Sequence, residues 1–434
     1  MSYVKNWFKD FWNTFVREFI DIFSDGGVLI IFFVAGFGYP LLYNLVYKNG
    51  VLNDTPIAIV DNADCALSHR FIRELDATRE VSVQANCINM EEAKKLMQER
   101  KVKGIVYIPS DFDDNAARLE TARLSVYTDM GSFIYYKNLL TAANSVMLAE
   151  MNRIGVERYC AQGLTIQQAR QLVQPVKYES NNPYNQTNSY SIFLISAILL
   201  VIVQQTMFYG MSLLTGTRRE QFKGVGLLNK DMSGYGVGRV VLGRAAAYWF
   251  VYLGIAMYIA FIVPAIFGIP QRGSFWDILV LLAFYLTATV TFCLTWSSLI
   301  TKRETVFVLL LFISPIALFL TGFSWPTSAF PKFWKLFSYA FPSTFGVQAY
   351  INLNTAGGNL STVTFQIVAL TIQSICYYFL ACIAMYIENI YMLKKASFLR
   401  KREALARKIG FSIEQNRRII GGEDAAKEYI DQLK

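Results

Sequence analysis

The chain has 434 residues, of which 54% are apolar, 15% aromatic and only 17% charged. A soluble domain of this length carries about a quarter charged residues, so the balance excludes a disordered chain, a small disulfide scaffold and an ordinary soluble enzyme. The net charge of +9 is uneven: residues 48–188 hold 16 Lys/Arg against 17 Asp/Glu, and the surplus of bases lies at the ends of apolar runs elsewhere.

Such an arrangement follows the positive-inside rule and not a nucleic-acid surface, so no nucleic-acid partner is expected. In chain order, residues 1–25 come first. Phe8, Phe11, Trp12, Phe15, Phe19, Ile22 and Phe23 recur at helical spacing, with Lys9, Asp10, Asn13, Arg17 and Asp21 on the remaining face. This predicts an amphipathic helix lying in the membrane interface, aromatics in the acyl boundary and charges in water. No cleavable leader is expected, which makes the span that follows (26–47) a retained anchor.

Residues 48–188 alternate strand and helix signals. Strands are predicted at 56–61, 81–86, 104–109 and 123–129, and helices at 66–77, 90–100, 132–161 and 165–172, with Asn89 as a cap. Asp61 with Asp64, and Asp111 with Asp113 and Asp114, fall where strands give way to helices and are read as N-caps. A polar linker, SNNPYNQTNSY, leads out of this small α/β domain.

Runs long enough to cross a bilayer occur at about 27–47, 189–213, 240–268, 276–300, 305–323 and 363–392. Bases flank them on one side: Lys5, Lys9 and Arg17, then Arg218 to Arg239, Lys302 and Arg303, and Lys394 to Arg402. The fold class predicted is an α-helical polytopic membrane protein of six spans, both termini cytoplasmic, with the α/β domain of 48–188 inserted on the extracytoplasmic side. The membrane part is 189–392, with a cytoplasmic loop at 214–239 that could hold a short helix at 217–222, and a basic tail follows at 393–434.

Few ionisable residues fall within the spans. Polar uncharged ones do: Gln204 and Gln205 in the second, Thr287 and Thr291 in the fourth, Gln373 in the last. Buried amides in lipid need partners, so these faces point at protein or at a wet pathway; for the threonines, helix–helix packing is the plainer reading. Ser314-Pro315 should kink the fifth span. After it, 324–350 is too broken for a span and too apolar for a free loop, which predicts short re-entrant helices on the outer side.

No phosphate-binding loop and no Ser/His/Asp set occurs, and with His69 as the single histidine no metal site is expected. Cys65 and Cys87 could form a disulfide or remain free thiols.

The leader, the stretches at 60–78 and 104–130, and SPIALFLTGFSWPTSAFPKFWKLFSYAFP at 314–342 together resemble the membrane subunit of a type-2 ABC exporter, of the type V architecture with a large exported domain after the first span. The resemblance implies that the leader is a connecting helix. It also implies that Arg218, Arg219, Glu220, Gln221, Phe222 and Lys223 couple to an ABC ATPase, although GTRREQFKGVG departs from the family's usual run here. Ser314 and Pro315 would join Gln204, Gln205, Thr287, Thr291 and Gln373 along the translocation pathway; Gly322, Pro326, Pro331, Trp334 and Pro342 would build an outer gate. It further implies a dimer with a second copy or a sibling permease, contact with membrane lipids and a periplasmic adaptor. The setting would be multidrug or lipid-like efflux at the inner membrane of a Gram-negative bacterium. ATP and Mg would bind the partner ATPase and no cofactor this chain, which is then not itself an enzyme. The competing readings are a non-transporting signalling or envelope-assembly protein with a ligand-binding exported domain, and an ion-coupled carrier, which the uncharged span interiors disfavour.

Overall fold

A computed structural model describes residues 2–47, 51–118, 120–129, 131–174, 190–221, 236–300 and 302–408. The chain divides into two compact units, one made of Met1–Lys48 with Tyr190–Lys434, the other of Asn49–Ser189.

The second unit is built on a four-stranded sheet. Strands β1 (Thr55–Asp61), β2 (Val81–Cys87), β3 (Gly104–Ile108) and β4 (Ser125–Thr128) lie in the order β2-β1-β3-β4. The first three are parallel and β4 is antiparallel to β3. β1 is apolar on both faces, as a central strand covered by helices must be. Its alternate residues enter two cores: Ile57 and Ile59 pack with Phe71, Leu75, Val106 and Leu139, whereas Ala58 and Val60 pack with Ala93, Val102 and Ile105. Helices Ala66–Asp76 and Phe133–Ala161 therefore cover one face and Met90–Gln98 the other.

The predicted caps hold in part. Asn89 accepts the Glu92 amide at 2.8 Å. Helix Ala66–Asp76, however, is capped by the Cys65 sulfur, which accepts the Ser68 amide at 3.2 Å. Asp61 instead accepts the amides of Ala63 and Asp64 and the Ser68 hydroxyl, closing the turn before the helix. Asp111 accepts from the Asn115 side chain, while Asp113 and Asp114 lie in the first turn of Phe112–Arg118, where the helix dipole favours acids. The Cys65–Cys87 disulfide is not formed. Both thiols are free, Cys65 engaged as a cap and Cys87 packed in the opposite core, where burial raises its pKa.

The first unit begins with helix Ser2–Ser24, and among its described residues five helices are long and apolar enough to cross a membrane: Gly26–Val46, Ala197–Glu220, Val237–Phe267, Phe275–Ser297 and Leu360–Glu388. A sixth arises if the bent pair Arg303–Leu309 and Leu311–Leu320 counts as one span. The 40° bend falls about a turn before Pro315, and a proline inside a helix costs the ladder a hydrogen bond and disfavours a straight run. The second span sits at the centre, almost wholly buried. Its helix runs without a break from Tyr190 to Gln221, so the short separate helix expected at 217–222 is instead, as far as Gln221, the last turn of this span. The last helix is likewise longer than its apolar run, continuing from Thr364 to Lys408. The linker preceding the second span, and the tail beyond 408, lie outside the described residues.

The leading helix packs on the third span at Gly243, where a Cβ would approach the Phe11 carbonyl to 2.8 Å and Thr14 Cβ to 3.0 Å. The expected orientation is met in part. Phe8, Trp12, Phe19 and Phe23 are exposed, as are Lys9, Asn13 and Arg17 of the polar face, but Ile22 is fully buried and Asp10 and Asp21 are half-buried against basic side chains of the bundle.

Candidate functional site: a charged hub and a polar outer turn

Three consecutive residues at the end of the second span each reach a different element, as successive positions 100° apart on a helix can. Arg218 turns to the leading helix, with its Nη1 2.8 Å from Glu18 and its Nη2 2.5 Å from Asp21. Arg219 pairs with Glu388 of the last span at 2.8 Å and donates to the carbonyls of Ser298 and Ile300, beyond the fourth span. Glu220 accepts the backbone amide of Arg303, the first residue of the fifth helix, at 2.9 Å, satisfying an N–H that the helix itself leaves open.

Glu18 is the deepest charge of this hub. It is 3% exposed, as is Arg244 of the third span, which donates to it at 3.1 Å, and the Tyr248 hydroxyl donates to it at 2.8 Å. Burial opposes its ionisation, but Arg218 and Arg244 outweigh that penalty and hydrogen bonds from Arg218 and Tyr248 add to them, so its pKa is lowered from 4.5 to about 2. Breaking such a buried pair from one side costs about 3–5 kcal/mol, because an uncompensated charge is left behind. Two pairs that are more exposed flank Glu18: Asp10 of the leading helix with Arg239 at 2.8 Å, and Asp25, just past the end of that helix, with Arg303 at 3.6 Å. Asp25 also caps the first span, accepting the amides of Gly27 and Val28.

Of the predicted coupling residues, Arg218, Arg219 and Glu220 thus converge on this hub through contacts within the chain. Gln221 closes the helix; Phe222 and Lys223 lie outside the described residues. Glu18, Asp21, Arg244, Tyr248 and Glu388 are the partners that sequence reasoning did not assign. One signal was present. Phe11, Phe15, Glu18 and Ile22 form a single helical stripe, and an acid on an otherwise apolar stripe calls for a buried cation.

The predicted pathway residues separate into two sets. Gln204 and Gln373 converge on the turn between the short helices Lys332–Ser338 and Pro342–Tyr350. Gln204 accepts the Ser343 amide at 2.7 Å, acting as a cap supplied from another helix, and Gln373 donates to the Tyr339 carbonyl at 2.6 Å. Tyr377 donates to the Ala340 carbonyl beside it. Each such bond contributes about 1 kcal/mol net, and leaving the buried partner unsatisfied costs about 1–3 kcal/mol. Thr287 and Thr291 return their hydroxyls to carbonyls of their own helix, and Thr287 is exposed. Gln205 is buried, Ser314 half-buried and Pro315 exposed.

The residues assigned to an outer gate shape the same turn. Gly322 ends the fifth helix in the left-handed region, at φ +79°. Pro326 and Pro331 precede Thr327–Ala329 and Lys332–Ser338, and Pro342 opens the next helix. Thr344 donates to the Ser338 carbonyl at 2.8 Å and Gln348 to that of Thr321 at 3.3 Å, tying the short helices to the end of the fifth. Trp334 is half-exposed on a helix whose Phe333 and Leu336 also face outward.

Apolar helices of this length and number, cross-braced by buried ion pairs, define a multi-pass membrane protein. The chain belongs to the ABC-2 family of transporter proteins, whose family model matches residues 27–383. It is accordingly a permease component of an ABC transporter, a membrane subunit whose family implies an ABC ATPase as partner. No curated protein and no solved structure matches it.

Proposed function

We propose that this permease serves an ATP-driven exporter that moves an amphiphilic, drug-like or lipid-like substrate out of the cytoplasm or the inner leaflet. The observation that carries the reading is the hub at Arg218, Arg219 and Glu220. Just before residue 222, the end of the central span is braced to the leading helix, through its Glu18 to the third span, and to the fifth and last spans. A push on that end from a partner would therefore reach the whole bundle. On this reading both termini and the loop face the cytoplasm, the α/β unit lies outside the membrane on the opposite side, and ATP and Mg act on the partner chain. The permease works as a dimer, with itself or a sibling, in the inner membrane of a Gram-negative cell, and the α/β unit is the part available to a periplasmic adaptor. ATP closes the partner subunits, and its differential affinity for two states of the dimer supplies the work.

Inside-out membrane vesicles containing the chain and its ATPase test this. On addition of ATP they should accumulate a fluorescent amphiphilic dye, and vesicles lacking the chain should not. Equal signals from both preparations would contradict export of this substrate class.

A further inference from the structure

The inward stripe of the leading helix is mixed: Ile22 is fully buried, Phe11 and Phe15 are half-buried with Phe15 edge-on to Phe250 of the third span, and Glu18 lies among them. Apolar contacts are non-directional, so by themselves they do not fix the rotation of this helix or its register along the bundle. Directional contacts do, and Glu18 makes most of them: one carboxylate oxygen is engaged by Arg218, the other by Arg244 and Tyr248. Arg244 keeps one further nitrogen, Nη2, with no hydrogen-bond partner, so Glu18 is the group that holds this buried guanidinium in place. Well-packed apolar residues could replace a buried ion pair at little cost in stability. What they would not reproduce is the single geometry that a carboxylate held from three sides imposes. Arg218, in turn, stands beside Arg219 and Glu220 on the last turn before the loop.

We infer that Glu18 is a positioning residue for coupling: it locks the leading helix to the second and third spans so that this helix and the last turn of the second span move as one body. The inference rests on the proposed ATP-driven function and assigns to that function a residue outside the loop itself.

The test uses the full chain with its ATPase in lipid nanodiscs, comparing wild type with Glu18→Gln and Glu18→Asp. Spin labels at Trp12→Cys and Leu242→Cys, both exposed, report the separation of the leading helix from the third span. Glu18→Gln should retain the ATPase at the wild-type ratio, yet slow ATP hydrolysis per complex about tenfold and broaden the label distance distribution. Glu18→Asp should recover most of the rate and the narrow distribution. A residue that mattered only for folding would lower the yield of complex without changing the rate per complex. An unchanged rate, or an unchanged distribution, in Glu18→Gln overturns the inference. Should that variant fail to reach the membrane, Asp21→Asn removes one of the two carboxylates on Arg218: slower hydrolysis supports the inference and an unchanged rate overturns it. If the wild-type chain retains no ATPase, it is the proposed function that fails, and the label distances still report whether Glu18 holds the helix.

Discussion

Gln204 and Glu18 show two ways in which a polar side chain is used inside an apolar bundle. Gln204 supplies a neutral acceptor to an amide that the start of a short helix leaves unpaired, and Glu18 collects two cations and a hydroxyl. Their consequences differ with pH. The Glu18 carboxyl titrates at about 2 in the folded chain against an ordinary value of 4.5. Its contribution to stability is thus complete above about pH 4.5 and is lost as pH falls from there toward 2, where the unfolded state takes up a proton that the folded state refuses. In detergent, the melting temperature of wild type should fall more steeply from pH 5 to pH 3 than that of Glu18→Gln, measured by intrinsic fluorescence. Parallel curves would show that Glu18 is not held ionised by the hub.

At the scale of elements, the leading helix depends on a close backbone approach as well as on charge. Gly243→Val should force it away from the third span, costing about 1–3 kcal/mol by overpacking, and lower the melting temperature; an unchanged value would mean that the two helices do not touch there. The existence of this helix and the exposure of Phe8, Trp12, Phe19 and Phe23 were legible from the spacing of its aromatics, but not that Glu18 and Ile22 turn inward onto the bundle. In water the apolar face is the buried one, whereas beside lipid it can be the outer one, and the periodicity is the same in both cases. The sheet of the other unit was legible for a related reason. Its strands are short apolar runs between turn signals, which local pattern alone reveals. The end of the second span was not legible, because Arg218 and Arg219 look like a solvated loop until Asp21 and Glu388, 197 and 169 residues away, are seen to pair with them. Gln204 and Gln373 stand out in the sequence as amides that need partners. That Gln204 meets the Ser343 amide and Gln373 the Tyr339 carbonyl depends on a tertiary fold that spacing does not encode.

At the scale of the whole molecule, the two units divide the work by composition. Residues 51–174 form a sheet-based unit with its own cores, the described residues of 2–47 and 190–408 form a helical bundle, and the ABC-2 family match at 27–383 runs through both. The bundle contains a charged hub around Arg218, Arg219 and Glu220, to which the proposed function assigns the coupling, and a braced turn at Tyr339–Ser343. Among the described residues no group of three or more His, Cys, Asp or Glu is arranged to hold a metal ion. The account places the energy source on a second chain, and purification of the tagged protein in mild detergent, followed by mass spectrometry of what accompanies it, tests that claim most directly. Recovery of an ABC ATPase in stoichiometric amount is the predicted result; reproducible recovery of folded protein with no ATPase would contradict it.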